Sequence, residues 1–117
     1  MSANPSECYT TDSQARSLRV EITATRSLVL PLDQFVFAEL LSDDKEQQLR
    51  LAFATHEVLI YGYALRRIET AIQRLELSGL TKLPGKYHAL IAENQPKIRD
   101  IVVKEVKPSG QIPETLN

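Results

Sequence analysis

Alternation of apolar and polar residues begins at Leu18. Leu18, Val20 and Ile22 fall on one side, and Arg19, Glu21 and Thr23 on the other. Successive side chains of an extended chain point to opposite faces, so this period of two predicts a half-buried strand. The run "SLVLPL" at 27–32 is the expected hairpin partner. Pro31 has no N–H to give to a ladder, which places that strand at an edge or ends it.

Residues 35–41, "QFVFAELL" with its leading Gln34, fit two periods. A strand places Phe35 and Phe37 on one face; a helix would place Phe35, Ala38 and Leu41 in a stripe. The polar connection "SDDKE" and the renewed alternation of Leu49, Leu51 and Phe53 favour a hairpin. A helix through 43–55 is the competing reading, because Asp43 and Glu46 have the spacing of an N-cap and its N3 partner. "EVLIYGY" is rich in β-branched and aromatic residues and apolar on both faces, which predicts a strand covered on both sides.

Residues 64–77 change period. Leu65, Ile68, Ile72 and Leu75 recur at steps of three and four, Ala71 widens the stripe, and Arg66, Arg67, Glu69, Gln73 and Arg74 occupy the rest. This predicts an amphipathic helix, with Gly79 as its left-handed C-terminal cap. Burial of each large aliphatic residue is worth about 1.5–3 kcal/mol before entropy. "LTKL" at 80–83 is an expected short strand, "KYHALIAENQ" at 86–95 a helical turn or two, and "KIRDIVVKEV" at 97–106 the last strand.

The expected class is therefore α+β: a small, mostly antiparallel sheet of about five or six strands, able to curl, with one amphipathic helix (about 64–77) packed on it. The single domain spans 17–106. The polar residues 1–16 and the Pro- and Gly-containing 107–117 are expected as flexible arm and tail.

Composition narrows function mainly by exclusion. The 117 residues fit one domain. Lys and Arg number 14 against 15 Asp and Glu, a formal charge of -1, which supplies no global field for nucleic acid. A lone cysteine, Cys8, allows no internal disulfide, the first residues lack the apolar core of a signal peptide, and no apolar run reaches membrane-spanning length. These features predict a cytoplasmic protein away from membranes.

Candidate chemistry is sparse. His56-Glu57 begins like the zinc-protease pattern H-E-x-x-H, but Ile60 stands where the second histidine is required. His88 and Glu93 bring no paired ligand spacing, and Asp43, Asp44 and Glu46 read as a solvated turn rather than a cation loop. The glycines form no phosphate-cradling loop, and no nucleophile elbow occurs. No catalytic, cofactor or metal residues are assigned, and no family signature is present.

What remains is a corner. Tyr63, Arg66, Arg67 and Arg74 form the candidate binding surface, where a strand turns into the helix. Structural readings compete there: the tyrosines as packing groups beneath the helix, and the arginines as a solvated face with Glu69 pairing to Arg66. The leading expectation is a non-enzymatic interaction or assembly module that joins a second copy or another protein through an exposed sheet edge. The alternative is ligand or nucleic-acid binding through the basic helix face, and an enzyme of no nameable class comes third.

Overall fold

The structure, a computed structural model, describes residues 8–43, 45–82 and 94–106. The fold is α+β. The described chain runs β1 (Tyr9–Thr11), β2 (Ser17–Thr23), β3 (Arg26–Pro31), a 3-10 turn (Leu32–Gln34), β4 (Phe35–Ser42), β5 (Gln47–Phe53), β6 (His56–Tyr63), α1 (Arg66–Gln73), β7 (Leu77–Thr81) and β8 (Lys97–Glu105). These strands form two four-stranded sheets rather than one sheet of five or six. Sheet A has the order β1-β7-β2-β3, and sheet B the order β4-β5-β6-β8.

Sheet B is antiparallel throughout, a β4-β5-β6 meander closed by β8. Sheet A mixes directions: β7 runs parallel to β2 on one side and antiparallel to β1 on the other. The whole of sheet B's β4-β5-β6 meander and α1 lie between β2 and β7 in the chain, which supplies the long connection that parallel neighbours require.

The alternation read from the sequence becomes the core. Leu18 and Val20 of β2, Leu49 and Leu51 of β5, and Val58 and Ile60 of β6 are fully buried in one cluster. Ile98 and Ile101 of β8, Ile68 and Ile72 of α1, and Leu77 of β7 join it. Both ambiguous segments are strands, because Leu49, Leu51 and Phe53 all go inside only with period two.

The helix is shorter than its apolar stripe. Leu75, the fourth stripe residue, is 46% exposed and lies at positive φ (57°). The Glu76 N–H bonds the Ala71 carbonyl and the Leu75 N–H bonds the Ile72 carbonyl, both at 2.9 Å. That is a Schellman closure with leucine in the glycine position. A helix continued through 77 would remove Leu77 from β7, where it is fully buried and paired with Thr11. Gly79, expected as the cap, lies instead inside β7, where a Cβ would stand 2.6 Å from Thr10 Oγ1.

The bend into α1 falls at Ala64 (φ 55°), two residues after Gly62. Gly62 instead permits a close crossing of two strands. The β6–β8 register shifts there, and a Cβ would stand 1.9 Å from the Lys97 carbonyl oxygen. The Leu65 N–H donates to Gln47 Oε1 at 2.7 Å, tying the helix start to β5.

Residues 8–16, expected within a flexible arm, instead contain buried Cys8 and strand β1. The expected tail 107–117, the helical turns at 86–93 and residues 1–7 lie outside the described residues. No described helix is long and apolar enough to cross a membrane.

Candidate functional site

Three of the four residues singled out in the sequence come together. Arg66, Arg67 and Arg74 line one open groove of about 610 Å³. Its other lining comes from Tyr9 and Thr11 on β1, from Glu76 just after the helix, and from Asn94 before β8. Ala64 and Ala71 contribute small apolar surfaces to it. Tyr63 lies apart from this groove, exposed at the end of β6.

The arrangement follows from the local fold. Burial of Ile68 and Ile72 fixes the rotation of α1, and positions 67 and 74, seven apart, then share one outward flank. β1 pairs with β7, the strand that follows the helix, and so supplies the facing wall. Thr10 is bonded to Ser78 at 2.9 Å, across from Gly79.

Charge in the groove is unevenly satisfied. Arg66 meets Glu69 at 3.8 Å, the expected local pair, across a mostly exposed edge. Arg67 and Arg74 have no ion pair among the described residues. Glu76 is the one carboxylate among the described lining residues. Sequence reasoning missed Tyr9, Thr11, Glu76 and Asn94, because nothing periodic links them to the helix. Pairing of β1 with β7 is the missing signal.

A second surface lies on β4. Val36, Phe37 and Leu41 are 63%, 43% and 51% exposed, on an eight-residue edge strand. The register shift between Phe35 and Phe37 inserts Val36 as an extra residue. The inner side of β4 is covered: Ala38 and Leu40 pack on the core, and α1 lies against the strand. Next to Phe37 the outer face carries Arg50, whose Nε donates to Glu57 at 2.7 Å and whose Nη1 donates to Glu39 at 3.3 Å. Its guanidinium lies 5.1 Å from the Phe37 ring centre. The Glu57 hydrogen bond, with Glu39 adding to it, holds Arg50 more firmly protonated than usual.

The β4–β5 turn is organised by Asp43, whose Oδ1 accepts from the Lys45 and Glu46 N–H groups at 2.9 Å each. Those two bonds hold the Asp43 carboxyl below its ordinary range. Glu46 in turn receives Arg99 of β8 in a bidentate grip, Nε at 2.5 Å and Nη2 at 3.1 Å. Arg99 also lies 5.7 Å from the Tyr61 ring centre, so Tyr61 packs beneath a guanidinium and not beneath the helix. This grip lowers the Glu46 carboxyl below its usual range and raises Arg99.

The remaining candidates scatter. His56 Nδ1 lies 2.8 Å from Thr55 Oγ1 at the start of β6, and Glu57 is taken by Arg50. No group of three His, Cys, Asp or Glu suited to a metal forms among the described residues. The Cys8 thiol is buried and donates to the Pro96 carbonyl at 3.3 Å. Asp44, His88 and Glu93 lie outside the described residues. Comparison with family models, curated proteins and solved structures gives no match.

Proposed function

We propose that this protein is a small non-enzymatic assembly module whose β4 edge takes an added strand from a second copy. One observation carries the reading: of the sheet edges among the described residues, β4 alone is long, weakly charged and apolar. β1 is three residues long, and β3 ends at Pro31. β8 carries Lys97, Arg99, Asp100, Lys104 and Glu105. Short, proline-ended and charged edges resist pairing, whereas a long apolar edge invites it. β4 has eight residues, a single charge at Glu39, and exposed Val36, Phe37 and Leu41.

The hydrogen-bond alternation supports a register. The Asp43 N–H donates to the backbone carbonyl of Glu46 at 3.2 Å, making Asp43 and Glu46 a bonded pair of the hairpin. Alternation back along β4 turns the main-chain groups of Ala38, Leu40 and Ser42 to the open edge. Antiparallel pairing of Ala38 with Leu40 of the second copy then sets Phe37 against Leu41 of that copy, twice by symmetry. Glu39 faces its own counterpart, and the Arg50 it shares with Glu57 leaves the two Glu39 carboxylates mutually repulsive.

Sedimentation across a concentration series tests this. A monomer–dimer equilibrium is expected, weakened by Phe37→Ser with Leu41→Ser and strengthened by Glu39→Gln. A strict monomer at the highest concentration overturns the proposal.

A further inference from the structure

The described lining of the groove beside α1 includes no residue of β4. The geometry points to a docking site for an acidic, extended polypeptide segment, held between α1 and β1 by Arg67 and Arg74.

Unsatisfied charge is the first reason. Arg50, Arg66, Lys82 and Arg99 supply the cation of every ion pair among the described residues, and neither Arg67 nor Arg74 belongs to one. Both nevertheless line the same concave surface, where a ligand would meet them together. Guanidinium forks bind carboxylates by paired charge-assisted hydrogen bonds, so two of them facing one groove favour a ligand with two carboxylates.

Spacing is the second. Seven helical steps at about 1.5 Å separate the two arginines by about 10 Å along the axis. A polyproline II segment advances about 3.1 Å per residue and repeats its face every three residues, so acidic side chains three apart share one face and lie about 9 Å from each other.

The rest of the lining favours peptide over nucleic acid. Thr11 and Asn94 can both give and accept hydrogen bonds, as a peptide backbone requires. Ala64 and Ala71 leave room for aliphatic contact. Glu76 stands inside the groove and Glu69 beside Arg66, and both would repel an unbroken phosphate chain. A peptide can place a neutral residue or a backbone N–H at Glu76.

Fluorescence anisotropy on the full chain tests the site. The probe is a labelled peptide of about twelve residues with Glu at every third position in an Ala/Ser background, which puts every Glu on one face of a polyproline II chain. Its control replaces each Glu with Gln. The Glu peptide should bind, and binding should weaken as salt rises from about 50 to 300 mM. Arg67→Ala with Arg74→Ala should weaken it about tenfold, and Glu76→Gln should tighten it about threefold. Both arginines are exposed, and unchanged thermal melts confirm that the variants fold; Arg67→Gln alone serves as a milder variant. Equal binding of Glu and Gln peptides overturns the inference, as does full affinity in the folded double variant. Tighter binding of oligouridylate or inorganic phosphate than of the Glu peptide overturns it in favour of a phosphate ligand.

Discussion

Arg50 and Arg99, on the outer side of sheet B, each grip a carboxylate and lie over an aromatic ring, Phe37 and Tyr61 respectively. Arg67 and Arg74, on α1 and at its end, do neither among the described residues. The same side chain thus stands in opposite settings in two regions. Around sheet B, charge is consumed internally: Glu39, Arg50 and Glu57 bind across β4, β5 and β6, and Glu46 with Arg99 ties the hairpin turn to β8. What sheet B leaves outward along β4 is mostly apolar, with Glu39 between Phe37 and Leu41. The helix groove leaves outward charge. A mostly apolar edge suits a like copy, and a groove whose Arg67 and Arg74 have no ion pair among the described residues suits an unlike, acidic partner.

The strongest break of this comparison removes both regions together. Ile72 is fully buried in the core shared by α1 and the two sheets. Ile72→Asp should cost about 4 kcal/mol or more, through lost packing and an unpaired buried carboxylate. Urea melts should show it, with dimer formation and peptide binding lost in parallel. A soluble variant of unchanged stability would contradict the helix's place in the core.

Salt separates the two regions next. Raising ionic strength should weaken peptide binding several-fold by screening Arg67 and Arg74, while β4 association holds or strengthens, because burial of Phe37 and Leu41 is not screened. Parallel anisotropy and sedimentation series at matched salt check this. A shared salt dependence would remove the distinction.

A smaller effect sharpens the position of Arg74, the C-cap residue just before Leu75. Leucine at positive φ costs about 1 kcal/mol relative to glycine, and the exposed side chain offers little burial in return. Leu75→Gly should therefore raise stability by about 1 kcal/mol in chemical melts and leave dimerisation unchanged.

The smallest effect lies in acid. Arg99 lowers the Glu46 carboxyl in the folded state, so its contribution is complete above the unfolded carboxyl's ordinary titration and is lost as pH falls through the lower folded value. Stability followed from about pH 6 to about pH 3 should decline less steeply in Glu46→Gln than in the parent. Asp43, lowered by the backbone N–H groups of Glu46 and Lys45, adds a loss of the same sign.

Much of the fold was legible along the chain. Period two at Leu18–Ile22 and Leu49–Phe53, and the step of three and four at Ile68–Ile72, place most of the residues they predict inside. The polar turn at Asp43 behaves as its composition suggests. What escaped depends on distant neighbours. β1 is three residues in a polar stretch and exists through pairing with β7, whose Leu77 was competing for membership of the helix. Leu75 fits the helical stripe by spacing yet lies outside the core, since the chain must turn there to let Leu77 into sheet A. For the groove, the arginines were legible from helical spacing, but the facing wall at Tyr9 and Thr11 was not.

The placing of β7 between β1 and β2 has a consequence for how the chain comes to be folded. β4, β5 and β6 are joined by short hairpins and can pair as soon as each is made. β1 and β2, though nearest in sequence, have no ladder with each other; each pairs with β7. During synthesis β1 must therefore wait until residues 77–81 have emerged, and sheet B must wait longer still for β8. The oldest described part of the polypeptide is among the last to find its place.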